Sequence, residues 1–167
     1  MAEHLEVSQG SKKEKYELLL KQIGLQIENE KDTIAVMANV ASMIHETFGY
    51  LWTGFYLVKG DCLVLGPFQG PLACTRIKYG KGVCGTAWKE GRDIVVDDVD
   101  KFPGHIACSS KSKSEIVVPI KRGEEICGVI DIDSEKIAAF DETDLIFLRE
   151  ITDAISDTFN PSESNSF

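Results

Sequence analysis

The sequence predicts one α+β domain, an antiparallel sheet with the N- and C-terminal helices packed on one side. Three observations carry this. Amphipathic helical periodicity occupies both ends of the chain. Between the ends, short runs of β-branched and aromatic residues alternate with glycine-containing turns. The order is helix, helix, four or five strands interrupted by one helix, a hairpin, then a helix. Such grouping favours an antiparallel sheet.

The first helix is expected from Lys12 to Glu30, with Tyr16, Leu19, Leu20, Ile23 and Ile27 on one face. Asp32 can cap a second helix that buries Ile34, Met37, Val40, Ala41 and Ile44 and stops at Gly49. Trp52 to Val58 and Cys62 to Leu65 read as strands around a Lys59-Gly60-Asp61 turn, and Leu72 to Lys78 as a third. Gly80-Lys81-Gly82 leads into a short helix, Val83 to Glu90, stopped by Gly91. Ile94 to Val96 is a further strand. The loop from Asp97 to Ser112 is long for a compact domain, and such loops are usually functional.

Glu115 to Ile120 and Glu125 to Asp133 form a hairpin turning at Arg122-Gly123. Asp141 caps the last helix, with Asp144 at its third position and Phe140 with Leu145 as a hydrophobic staple. Leu145, Leu148, Ile151, Ile155 and Phe159 make its buried stripe. The expected boundaries are a flexible tail at 1–11, the domain at 12–160 and a flexible tail at 161–167.

The formal net charge of −9 disfavours nucleic acid and anionic membranes as partners. No apolar run approaches the roughly 20 residues that span a bilayer. The N-terminus carries no apolar signal core, so a cytoplasmic location is expected. The five cysteines, an odd number, argue against a disulfide framework. No two lie two to four residues apart, and His4, His45 and His105 make no ligand pair, so no metal is expected. Core packing and redox chemistry remain.

The hairpin holds an anomaly. Strand alternation puts Asp131 and Asp133 on one face with Cys127 and Val129. Two adjacent acids repel. They mark either a solvent-facing strand end or a pocket for an ammonium group or a proton. A three-residue connection, Arg122-Gly123-Glu124, would set Glu115 directly opposite Asp131; a two-residue turn would send it to the other face. Cys108 lies in the long loop, followed by two serines and near Lys111 and Lys113, which is not a typical core setting.

From Gly49 to Ile151 the chain resembles the GAF-domain free methionine-(R)-sulfoxide reductases. The resemblance rests on G-Y-L-W-T-G-F-Y at 49–56, L-G-P-F-Q-G at 65–70, A-C-T-R-I at 73–77, G-K-G-V-C-G-T-A-W at 80–88, the segment from Cys108 to Ile120, and G-V-I-D-I-D at 128–133. It implies a GAF-like fold and free methionine-(R)-sulfoxide as substrate. It further implies no bound cofactor and thioredoxin as reductant, supplied with electrons from NADPH through thioredoxin reductase. By position, Cys108 matches the catalytic cysteine, and Cys74 and Cys84 the two cysteines of disulfide recycling. Glu115, Asp131 and Asp133 match the acidic substrate site, and Trp52 and Tyr56 its aromatic groups.

The implied reaction is attack of a Cys108 thiolate on the sulfoxide sulfur, leaving a sulfenic acid. Cys74 is the first choice to condense with it, Cys84 the second. The acids create a tension. Unit charges about 4 Å apart repel by roughly 4 kcal/mol at an effective dielectric of 20, so three ionised acids beside a thiolate are untenable. Substrate ammonium can neutralise one or two, and burial can keep another protonated. A protonated acid suits the reaction, because oxide leaves poorly unless it gains a proton. Glu115 and Asp133 are expected to handle the oxygen and Asp131 the ammonium. Cys62 and Cys127 are assigned to packing, His45 and His105 to surface or loop roles. The outward helices could form a homodimer interface. A GAF small-molecule sensor and a cysteine redox switch without catalysis are the competing readings; fold alone does not decide among them.

Overall fold

The structure is a computed structural model and describes residues 4–106 and 108–159. Its elements are α1 (Lys12–Ile27), α2 (Thr33–Phe48), β1 (Trp52–Lys59), β2 (Cys62–Gln69), β3 (Arg76–Lys78), α3 (Gly82–Glu90), β4 (Ile94–Val96), β5 (Ser114–Arg122), β6 (Glu125–Ser134) and α4 (Glu142–Ser156). A 3-10 turn at Val99–Lys101 interrupts the long loop. The strands form one six-stranded sheet in the order β3-β2-β1-β6-β5-β4, every neighbouring pair antiparallel.

The sheet separates two apolar cores. On one face, α1, α2 and α4 bury Tyr16, Met37, Ile44, Leu148 and Ile151 against Phe55, Ile116, Ile130 and Ile132. On the other, α3 packs over Val117 and Val129, with Trp52, Tyr56, Leu63 and Val83. Strand alternation explains the division: Phe55 points to the three helices, Trp52 and Tyr56 to α3. The caps hold as expected. The Asp32 carboxylate accepts from Ala35 N–H at 2.8 Å, Gly49 closes α2 with φ 65°, and Asp141 and Asp144 form a reciprocal capping box. Buried Asp144 also accepts from Tyr16 Oη at 2.7 Å and Lys12 Nζ at 2.6 Å, tying α4 to α1.

Within the expected N-terminal tail, residues 4–10 form no helix or strand. Leu5 nevertheless packs against the first core, and Glu6 exchanges two hydrogen bonds with the Gln22 side chain. The C-terminal segment 161–167 lies outside the described residues.

Three strand expectations are corrected. The second strand runs from Cys62 to Gln69, past the expected end at Leu65. The third strand covers only Arg76–Lys78 rather than Leu72 to Lys78. The β1–β2 register slips between Gly54 and Tyr56, where Gly66-Pro67 on β2 oppose Phe55 alone. Pro67 has no N–H to donate, and Leu72 is left 89% exposed beyond the strand. The β5–β6 hairpin turns on two residues, Gly123-Glu124, because Arg122 pairs with Glu125. That turn alone would send Glu115 to the wrong face. A bulge restores the parity: Lys121 pairs with Ile126 and Ile120 with Gly128, leaving Cys127 unpaired. Glu115 therefore sits opposite Asp133, not Asp131, which pairs with Val117.

Candidate active site

The pocket opens on the α3 face of the sheet. Its acidic wall follows from register. Asp133 pairs with Trp52 of β1 on one side and with Glu115 of β5 on the other, so the three side chains form a row. Asp131 lies one step deeper, opposite Gly54. Glycine is required there: a Cβ on residue 54 would come within 2.5 Å of the Trp52 ring and 2.4 Å of Phe68 Cβ. Trp52 thus folds back over the strand, stacked on Phe68 at 5.3 Å and on Tyr56 at 5.9 Å, with its Nε1 donating to Pro71 O at 3.1 Å.

Burial dominates the chemistry of this wall. Glu115 and Asp131 are each 6% exposed. Loss of hydration pushes both carboxyls well above the ordinary range, and neighbouring carboxylates push further: Asp133 acts on Glu115, Glu115 and Asp133 on Asp131. Asp133 is raised by burial too, opposed by the Ser112 hydroxyl, which donates to its Oδ1 at 2.5 Å, and by His105. Asp131 Oδ1 is buried without a hydrogen-bond partner. Carboxyls whose proton affinity burial raises and an unsatisfied acceptor stand together here, suited to a ligand carrying both a basic oxygen and an ammonium group.

The thiols come from irregular backbone and from α3. Cys74 and Cys108 lie at the mouth, their Sγ atoms 2.6 Å apart. Tyr56 holds Cys74 in place by donating its hydroxyl to the Cys74 carbonyl at 2.9 Å. Cys108 is exposed as a residue but lines the pocket. Burial of its sulfur, then the bond to Cys74 and the charge of Asp131, push the thiol up to about 12. Cys84 is buried on the floor, with its Sγ, a Glu115 oxygen and an Asp131 oxygen all within 4.8 Å of one another. Burial raises its thiol strongly.

All eight residues singled out in the sequence therefore converge on one site. Cys62 and Cys127 do not: the first accepts from Arg76 Nη1 at 3.5 Å at the β2–β3 edge, the second fills the hairpin bulge. Two site residues escaped sequence reasoning. His105, expected in a surface or loop role, places Nε2 3.4 Å from Glu115 Oε2 with its side chain only 13% exposed. Ser112 supplies the hydroxyl to Asp133. Both sit in the long loop, where no periodicity indicates side-chain direction; the loop's length was the only signal.

Residues 32–158 match the GAF domain family. GAF domain-containing protein A of Dictyostelium discoideum is 55% identical over 90% of this chain and 96% of its own. The free methionine-R-sulfoxide reductase of Saccharomyces cerevisiae is 40% identical over 93% of this chain and 92% of its own. The X-ray structure of the Neisseria meningitidis free methionine-R-sulfoxide reductase in complex with its substrate superposes with a TM-score of 0.91 at 50% identity, covering 93% of this chain and 95% of that one.

Proposed function

The chain belongs to the GAF-domain free methionine-R-sulfoxide reductases, and from that premise we propose that it reduces free L-methionine-(R)-S-oxide to L-methionine by oxygen transfer to Cys108. The observation that carries this reading is the paired thiol, Cys74 with Cys108, at the mouth of a pocket walled by Glu115, Asp131 and Asp133, the first two buried.

Trp52 packs the methylthio end of the substrate. Asp131, with its unpartnered Oδ1, receives the ammonium, while Glu115 and Asp133 present a proton to the sulfoxide oxygen. The Cys108 sulfur attacks the sulfoxide sulfur, and the oxygen gains a proton from the acid wall. The Cys108 thiol proton goes to the carboxylate that protonated the oxygen; the hydroxyl then passes to the Cys108 sulfur as the new S–S bond and the substrate S–O bond both break, releasing methionine and leaving Cys108 as a sulfenic acid. Two electrons have moved from Cys108 to the substrate. The Cys74 thiol then displaces water and forms the Cys74–Cys108 disulfide, which an external dithiol, thioredoxin, reduces through a mixed disulfide. Exposed Leu72 and Ile106 flank the pair and offer that reductant an apolar rim. His105, between solvent and Glu115, is placed to return the proton. Among the described residues, no helix is long and apolar enough to cross a membrane.

Cys84 is the weaker resolving candidate, since it is buried beside Asp131 while Cys74 already touches Cys108. The test is a coupled assay with free methionine-R-sulfoxide, thioredoxin, thioredoxin reductase and NADPH, with the S epimer as control. NADPH oxidation is expected with the R epimer only. Silence with the R epimer ends the reductase reading and leaves a sensor or redox switch.

A further inference from the structure

The pocket floor has a second chemistry that the reductase cycle does not use. Cys84 from α3, Glu115 from β5 and Asp131 from β6 each offer one donor atom, the three within 4.8 Å of one another. A zinc ion bound by one sulfur at about 2.3 Å and two oxygens at about 2.0–2.2 Å needs donors some 3.5 Å apart, which a small contraction reaches. Asp131 Oδ1 is buried with no partner and Asp131 is 6% exposed, so a cation is the missing counterpart. Sulfur in the donor set selects a thiophilic ion over magnesium or calcium, which take oxygen ligands. The three donors come from separate elements, so no sequence spacing rule reports them.

We propose that Cys84, Glu115 and Asp131 form a binding site for a thiophilic divalent cation, zinc foremost, and that the bound ion shuts the pocket by taking the place of the substrate ammonium. The inhibitory half rests on the reductase reading; the binding half does not. The ion displaces the thiol proton and those of the carboxyls, and the pocket mouth leaves a fourth coordination position for water. Occupancy and catalysis are mutually exclusive, because Glu115 and Asp131 cannot serve both cations.

The test uses the reduced full-length protein freed of metal, titrated with cobalt(II) as a spectroscopic stand-in. One equivalent should give a sulfur-to-cobalt charge-transfer band that zinc abolishes and free methionine displaces. The band should persist in Cys108→Ser and vanish in Cys84→Ala and in Asp131→Asn, the latter a near-isosteric change checked for folding by thermal melting. A band lost in Cys108→Ser but kept in Cys84→Ala places the ion on the mouth thiols and overturns the proposal, as does the absence of any band. In turnover, zinc at ten times its dissociation constant should raise apparent KM about elevenfold with kcat unchanged. Methionine and cobalt bound together would overturn the inhibitory half. A cobalt band with a silent coupled assay removes the reductase reading and leaves the site; activity without a band does the reverse.

Discussion

The acid wall and the thiol rim of this pocket are built in opposite ways. Glu115, Asp131 and Asp133 stand on β5 and β6, the longest ladder of the sheet, where every neighbour is set by register. Cys74 and Cys108 stand on backbone outside any helix or strand, one between β2 and β3, the other in the long loop. The difference follows the work each performs. The acids hold charge and protons and must not relax, because relaxation would let water in and return their carboxyls to ordinary values. In the proposed cycle the thiols meet substrate, then each other, then an external protein, steps that backbone outside the sheet ladder accommodates.

The comparison is sharpest at Cys108. Cys108→Ser should abolish methionine formation even in a single turnover, by roughly a thousandfold or more, because no other thiol takes up the oxygen. Rapid-quench quantification of methionine checks this. Cys74→Ser should yield one equivalent of methionine and then stall, cutting the steady-state rate with thioredoxin by roughly a hundredfold. Full turnover in that variant would move the resolving role to Cys84 and break the picture of a two-thiol rim.

On the wall, Glu115→Gln should lower kcat/KM by roughly a hundredfold yet stabilise the fold. The sign follows from linkage. The Glu115 carboxyl is raised on folding, so the native state holds more protons than the unfolded state above the unfolded carboxyl range. Stability is full below that range and is lost as pH rises towards the folded value, by about 1.4 kcal/mol per pH unit for each extra proton held. Glutamine removes one such proton. Denaturant melts at a series of pH values should show a shallower decline for the variant above pH 5. An unchanged slope would mean that Glu115 is ionised and solvated, and that the wall is not dry.

The smallest expected effect links the two regions. The Cys108 thiol, pushed up to about 12, is scarcely ionised at neutral pH. A substrate ammonium over Asp131 would cancel one of its causes, the carboxylate charge, while burial, the largest cause, persists in a variant that lacks the Cys74 sulfur. Saturating methionine should therefore lower the thiol by no more than about one unit, read from thiolate absorbance in Cys74→Ser against Cys74→Ser,Cys108→Ser. A rise on binding would show that desolvation by the ligand outweighs the charge it brings.

Much of this was legible beforehand. The three long helices, the caps of α2 and α4 and the β5–β6 hairpin follow from apolar periodicity and from Asp32, Asp141 and Gly49, because those signals act within one or two turns of backbone. The residues that converge on the pocket were found through family resemblance and the odd pair of acids on β6. His105 and Ser112 were not, since a loop side chain takes its direction from tertiary contacts. The extent of β3 was overestimated for a related reason: the bulge at Gly66-Pro67 acts from a neighbouring strand.

By itself, then, the sequence determined the α+β class, the order of the elements and the cast of reactive residues, because propensity, alternation and residue chemistry are local. Only the tertiary structure decided who faces whom. The pairing of Glu115 with Asp133, the contact of Cys74 with Cys108 and the burial of Cys84 against Asp131 all depend on long-range register. A single bulge at Cys127 shows why. One unpaired residue inverts the parity of a whole strand, and its energetic justification lies in the burial of residues far along the ladder.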